Sequence, residues 1–253
     1  MGSAPTPWPS THTLNHLVKK SSGYFIYAST IIKFVDDKAF RPTKRLESIE
    51  NLSSDDSDSP FGALDQLYFQ ILSAVPVSFL SNLCDILCAI ANFRLPSEQI
   101  DLLLGLEAGD ARLILRSLQS VLNMGRRYNS VVTVHHASFL DFLQDHKRSS
   151  TFYIGSHRRT KLAHSVLNAL AYTYQNRQLN RDSYPLPWRL GEQDWLEFIS
   201  SMPPSPDLAA RIQLINPDFL QWGSDDLGEE ISCFVVWLRE IQPIPHCLIQ
   251  RWE

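Results

Sequence analysis

Leu64-Asp65-Gln66-Leu67-Tyr68-Phe69-Gln70-Ile71-Leu72-Ser73-Ala74-Val75 decides the fold class. Leu64, Leu67, Tyr68, Ile71, Leu72 and Val75 recur three and four residues apart, the period of one broad helix face. Ser59-Pro60 offers a cap followed by a first-turn proline, and Pro76 ends the run. So wide a stripe calls for a core to cover, and the chain downstream supplies one. Ser78 to Phe93 is apolar nearly all round, as in a helix at the centre of a bundle.

Working further downstream, Pro96-Ser97 restarts a short helix through Ile100, Leu102 and Leu103, closed by Gly105. Gly109-Asp110 opens another, with Ala111, Ile114, Leu115, Leu118 and Leu122 on its inner face. Asn123–Arg127 and Val131–His135 flank Tyr128-Asn129-Ser130 and read as a β-hairpin. Helices followed by a hairpin give the order of a winged helix-turn-helix. The expected fold is mainly α: a helical bundle with a winged-helix subdomain carrying a small β-hairpin.

Upstream, Thr11 or Thr13 caps a helix presenting Leu14, Leu17 and Val18. Tyr24 to Val35 is rich in β-branched residues, so a strand competes. A largely buried helix is favoured because Phe25, Ala28, Ile32 and Val35 keep helical spacing. Arg45 to Leu52 suits a short helix, and Ser53-Ser54-Asp55-Asp56-Ser57-Asp58-Ser59 has nothing to bury. Beyond Ser150, helices are expected at about 157–174, 193–200 and 227–241. The last has Leu227, Ile231, Phe234, Val235 and Leu238 on one face. Tyr184 to Trp188 and Pro203 to Pro206 are rigid connectors. Four segments result: 1–42, the end of an upstream region; 43–60, an acidic flexible linker; 61–150, a helical and winged-helix domain; and 151–253, a C-terminal helical region.

Composition narrows the function. The chain has 253 residues, 44% hydrophobic and 11% aromatic, enough for a core. A formal net charge of -4 gives no global attraction to nucleic acid or anionic membrane. Tyr24 to Val35 is too short to span a bilayer and contains Lys33. Cys84, Cys88, Cys233 and Cys247 form no CxxC and read as small buried hydrophobes in a reducing cytoplasm. No GxxxxGK[ST], GxGxxG, HExxH or GxSxG occurs, and the histidines are scattered. No catalytic or metal site is therefore expected, and the chain reads as a non-enzyme.

One constellation carries chemical information: Val134-His135-His136-Ala137-Ser138-Phe139-Leu140-Asp141-Phe142-Leu143. Its bland reading is the end of a hairpin where Phe139 and Phe142 pack and the histidines are incidental. Its functional reading is an imidazole on a rigid strand-to-helix junction, able to donate a hydrogen bond to a phosphate.

Several stretches resemble NACHT-type STAND ATPases of basidiomycete fungi, in the region after the nucleotide-binding core. Leu17-Val18-Lys19-Lys20-Ser21-Ser22-Gly23-Tyr24-Phe25-Ile26-Tyr27-Ala28-Ser29-Thr30 resembles the helix following that core. Leu64-Asp65-Gln66-Leu67-Tyr68 with Ile71-Leu72 resembles an "LDxLYxxIL" helix. Leu102-Leu103-Leu104-Gly105-Leu106, Gly109-Asp110 and Ser120-Val121-Leu122 resemble the winged-helix region, which His136, Ser138, Phe139, Asp141 and Phe142 close as "HxSFxDFL". The resemblance covers about residues 7 to 170. It implies a switch in which the winged helix folds over bound ADP and the motif histidine touches its β-phosphate. By position that residue is His136, with Ser138, Phe139, Asp141 and Phe142 holding the helix behind it. It also implies that the Walker motifs lie ahead of Met1, that this chain holds no nucleotide itself, and that partners are NACHT-type proteins forming an oligomer.

Two other readings compete. A free-standing protein-interaction module would use the C-terminal helices and tryptophan-bearing loops at Trp188, Trp195 and Trp222. A DNA-binding winged helix would use Arg112, Arg116 and Gln119 with Arg126-Arg127 at the hairpin tip, against Glu107, Asp110 and the acidic balance.

Overall fold

The computed structural model describes residues 8–21, 24–38, 40–51, 62–125, 130–175, 195–215, 217 and 228–253. Expectations for 52–60, Arg126-Arg127, Tyr128-Asn129, Trp188 and Trp222 lie outside them. Among the described residues there are 14 α-helices and one two-stranded sheet. The protein is mainly helical.

The helices in chain order are α1 (Thr11–Ser21), α2 (Phe25–Val35), α3 (Pro42–Glu50), α4 (Gly62–Leu72), α5 (Leu80–Asn92), α6 (Ser97–Leu104) and α7 (Asp110–Leu115). Strands β1 (Leu122–Asn123) and β2 (Thr133–Val134) follow, then α8 (Ala137–Gln144), α9 (His146–Ser149) and α10 (Ser156–Gln175). The C-terminal helices are α11 (Trp195–Ser200), α12 (Pro206–Ile212), α13 (Gly228–Arg239) and α14 (His246–Trp252). No single described helix is long and apolar enough to cross a membrane. The chain divides into two compact units: Met1–Leu80 with Ile114–Asn123 and Thr133–Tyr153, and Ser81–Leu113 with Met124–Val132 and Ile154–Glu253.

In the first unit α4 buries Leu64, Leu67, Tyr68, Ile71 and Leu72, the expected face. Helix α2 also forms, but its orientation differs from expectation. Tyr27, Thr30, Ile31 and Phe34 are buried, while Phe25 and Ile32 are 83% and 67% exposed. A segment apolar on nearly every side does not fix its own rotation; its neighbours do. Leu14 and Val18 of α1 are likewise exposed.

Segment 43–60, expected as a linker, begins in a packed helix. Leu46 and Ile49 of α3 are buried, and so is Arg45, whose guanidinium lies between the rings of Phe34 and Phe40 at 3.9 and 3.8 Å. Its Nη2 donates to Asp37 at 3.1 Å. A stacked, delocalised cation tolerates such a place better than an ammonium does.

The second unit is built on α5, whose residues Leu83 to Ile90 are buried without a break. Asp85 lies within that run, and Arg158 and Lys161 of α10 reach it, Arg158 at 2.8 Å. A buried carboxylate persists when it is paired in this way. Cys84 and Cys88 are buried as expected, and burial pushes the Cys88 thiol up to about 12. Cys233 and Cys247, expected to be buried, are exposed. Each stands beside a side chain that takes the core place instead, Phe234 and Leu248.

Around Trp195, the rings of Phe234 and Trp252 stand at 6.1 and 6.2 Å, joining α11, α13 and α14. The Trp237 Nε1–H donates to the Met202 carbonyl at 2.8 Å. Helix α12 begins at Pro206, the last residue of the connector expected at Pro203 to Pro206, and its remaining residues carried no expectation. Ser205 caps it, accepting from the Leu208 amide, and Pro206 takes the first position.

The α6–α7–hairpin order exists in compressed form. Gly105 ends α6 in a left-handed conformation, φ +66. Buried Asp101 then caps α7, accepting from Gly109 N at 2.8 Å and Ala111 N at 2.7 Å. Helix α7, expected to continue to Leu122, stops at Leu115 and tightens into a 3-10 turn at Arg116–Leu118. Leu118, Val121 and Leu122 are all buried. The hairpin pairs Leu122 with Val134 and Asn123 with Thr133, a shorter ladder than expected.

Candidate functional site

The site grows from the hairpin's second strand. Beyond Val134, the His135 amide donates to the Val121 carbonyl at 2.9 Å, so the backbone is still held two residues before α8 begins. His136 is extended (φ -151, ψ 141) and is the cap of α8. Its Nδ1 accepts the Ser138 amide at 3.1 Å, filling a place more often taken by Ser, Thr or Asp. The same Nδ1 lies 2.9 Å from Ser138 Oγ, which lies 2.7 Å from Tyr68 Oη of α4.

Those contacts set the protonation pattern. A ring nitrogen accepting from an amide carries no proton, so the neutral imidazole holds its proton on Nε2. His136 is exposed, and among the described residues its Nε2–H has no partner. The sequence-expected residue is therefore a single outward donor on a capped, ladder-held junction.

The expected supporting residues divide by role. Phe139 and Phe142 are 1% and 0% exposed and receive the Tyr68 ring, with centroids 5.1 and 5.5 Å away. Ser138 bridges Tyr68 to His136. Asp141 is exposed on α8 and makes no packing contribution of the kind expected; its charge acts on Tyr68 and Arg148. The outward side of a helix packed by Phe139 and Phe142 is where a residue at position 141 must fall.

Two groups essential to this geometry carried no signal of their own in the sequence reading. Tyr68 is one, read as a core residue of α4 and as part of the resembling helix but given no place at the site. Burial raises its phenol pKa, partly offset by the hydrogen bond with Ser138, so the hydroxyl stays protonated. Arg148 of α9 is the other. Its Nε and Nη2 grip Asp65 of α4 at 2.9 and 2.7 Å, a two-point pair that raises its pKa and ties α9 to α4. Asp145 caps α9 through the Lys147 and Arg148 amides.

His135 behaves differently from its neighbour. Its Nε2 lies 3.1 Å from the Gln119 carbonyl. Partial burial lowers its pKa, opposed by that hydrogen bond and reinforced by Lys33. The adjacent histidines thus have separate roles, one turned to backbone and one to solvent.

The groups proposed for DNA are less well disposed. Arg112 lies 3.9 Å from Glu98, and the Gln119 amide turns back to the Arg116 carbonyl. The candidate recognition helix has six residues. Among the described residues no three His, Cys, Asp or Glu side chains gather as metal ligands. No protein-family model, curated protein or solved structure matches this chain.

Proposed function

We propose that the chain is a non-catalytic regulatory segment of a NACHT-type signalling ATPase, acting in the cytoplasm with protein partners of the same type. In this reading the stretch expected as a winged-helix domain acts as a lid, and His136 reads the terminal phosphate of ADP bound by a separate module. The observation that carries it is the exposed Nε2–H of His136 on an immobilised junction. A donor already oriented loses little freedom when a phosphate oxygen meets it. Because ADP and ATP present different terminal phosphates, such a contact can weight a closed state over an open one.

The chain needs no cofactor in this role; ADP and ATP belong to the module it would cover. The test is thermal unfolding of the purified chain with MgADP or MgATP. Ligand at a hundredfold its Kd would stabilise the protein by about 2.7 kcal/mol. No shift is expected; a nucleotide-dependent rise would mean that the chain binds nucleotide unaided and would overturn the division of labour.

A free-standing protein-interaction module is the second reading, favoured by the exposure of Phe25 and Ile32 on α2. Pull-downs with Phe25→Ser/Ile32→Ser test it: partners lost with the fold intact would favour this reading.

A further inference from the structure

We infer that α1 and α2 form a surface that docks on an anionic lipid bilayer. The inference stands apart from the His136 reading. It concerns the face that the second reading offers to a protein, and charge chooses between the two occupants.

Helix α2 is apolar on two sides, and the chain covers one. Tyr27, Thr30, Ile31 and Phe34 are buried, which fixes the rotation of the helix. Phe25 and Ile32, seven residues apart and so on one face, are left exposed. Helix α1 packs against α2 within the same compact unit and exposes Leu14 and Val18, one turn apart. Large apolar side chains exposed together on two packed helices mark an interaction surface, whereas single ones scattered over a surface do not.

Residues 1–35 carry Lys19, Lys20 and Lys33 and no Asp or Glu, although the whole chain has 27 acidic residues against 23 Lys and Arg. The formal charge of -4 thus conceals one stretch of opposite sign. Lys19 follows Val18 and Lys33 follows Ile32, and both lysines are exposed, so each apolar pair has an ammonium beside it. The first acid, Asp36, comes only at the end of α2. Helix α3, packed on α2, exposes Glu47 and Glu50, the former paired with Lys44.

The apolar side chains call for an apolar layer and the lysines for an anionic one. A bilayer of anionic lipid supplies both, one just beneath the other, and needs no matching shape. Nucleic acid would meet the lysines and leave Phe25 and Ile32 in water. The 11 residues of α2 rise about 16 Å, roughly half of a hydrocarbon core, so the helix lies along the surface and does not cross it. The lysine stems carry their ammonium groups up to the headgroups.

The experiment is sedimentation of the full chain with vesicles of phosphatidylcholine alone and of phosphatidylcholine mixed two to one with phosphatidylserine. The protein should favour the phosphatidylserine vesicles about tenfold or more, and the preference should shrink as salt is raised. Phe25→Ser/Ile32→Ser should lower that partitioning about tenfold or more. Its thermal unfolding should match the original, since both side chains are exposed. Lys19→Gln/Lys33→Gln should remove most of the preference for phosphatidylserine. Equal or absent binding to the two vesicles would overturn the inference, as would a Phe25→Ser/Ile32→Ser variant that binds as well as the original. Protein partners lost from that variant, while the original chain ignores vesicles, would give the face to a protein instead.

Discussion

Removing Ser138's hydroxyl should damage the protein more than removing both it and its partner. Ser138→Ala strands the Tyr68 hydroxyl, 1% exposed, whose 2.7 Å partner has gone. An unsatisfied buried hydroxyl costs about 1–3 kcal/mol, whereas removing both partners is close to neutral. The cap survives in each variant, since the amide of residue 138 still reaches His136 Nδ1. Native-state hydrogen exchange at the Phe142 and Leu143 amides reads the opening of α8 directly. Ser138→Ala should exchange about five- to 150-fold faster than the original, the range that about 1–3 kcal/mol gives. Ser138→Ala/Tyr68→Phe should recover most of that loss. If the double variant exchanges as fast as Ser138→Ala, or faster, the two hydroxyls are not coupled and the reasoning fails.

The two-point Asp65–Arg148 pair should show a coupling of about 1–2 kcal/mol in a double-alanine cycle followed by thermal unfolding; simple additivity would mean that the pair is ornamental. Asp101→Ala leaves the Gly109 and Ala111 amides without their acceptor and should cost about 1–3 kcal/mol in denaturant unfolding. Leu67→Ala, at a site with no exposure, should cost about 2–5 kcal/mol in the same assay. His135 has its pKa lowered from 6.5, so the unfolded chain binds its proton first as the solution is acidified. Its contribution is fully present above pH 6.5 and is lost as pH falls from there through the folded value. His135→Gln should flatten that part of the stability–pH curve, and an unaltered slope would assign it to other groups.

The sequence made some of this legible and not the rest, for physical reasons. Helix α4 was readable because Leu64, Leu67, Tyr68, Ile71 and Leu72 fall on one broad face, with Phe69 the one large apolar residue of the helix off it. Helix α2 was readable as a helix but not in its orientation, because Phe25, Ile32, Tyr27 and Ile31 are equally good core residues before neighbours choose among them. Arg45 reads in the sequence as the start of a short helix within a linker, with no sign that it is buried. Its burial depends on Phe34, Phe40 and Asp37 converging, which no periodicity encodes. At the candidate site, the hairpin, the following helix and the inward phenylalanines were visible locally. The Tyr68–Ser138 contact joins positions 70 apart in sequence, and Asp65–Arg148 joins positions 83 apart. Such pairs are products of tertiary packing, so the means by which His136 is oriented could not be read along the chain.

The most direct test of the phosphate-reading role uses the polypeptide encoded by the complete transcript, loaded with ADP. Its rate of ADP release is compared with that of His136→Ala. An imidazole holding the closed state should make release about five- to 150-fold faster when removed. Equal release rates, or a transcript encoding no phosphate-binding loop, would contradict the account.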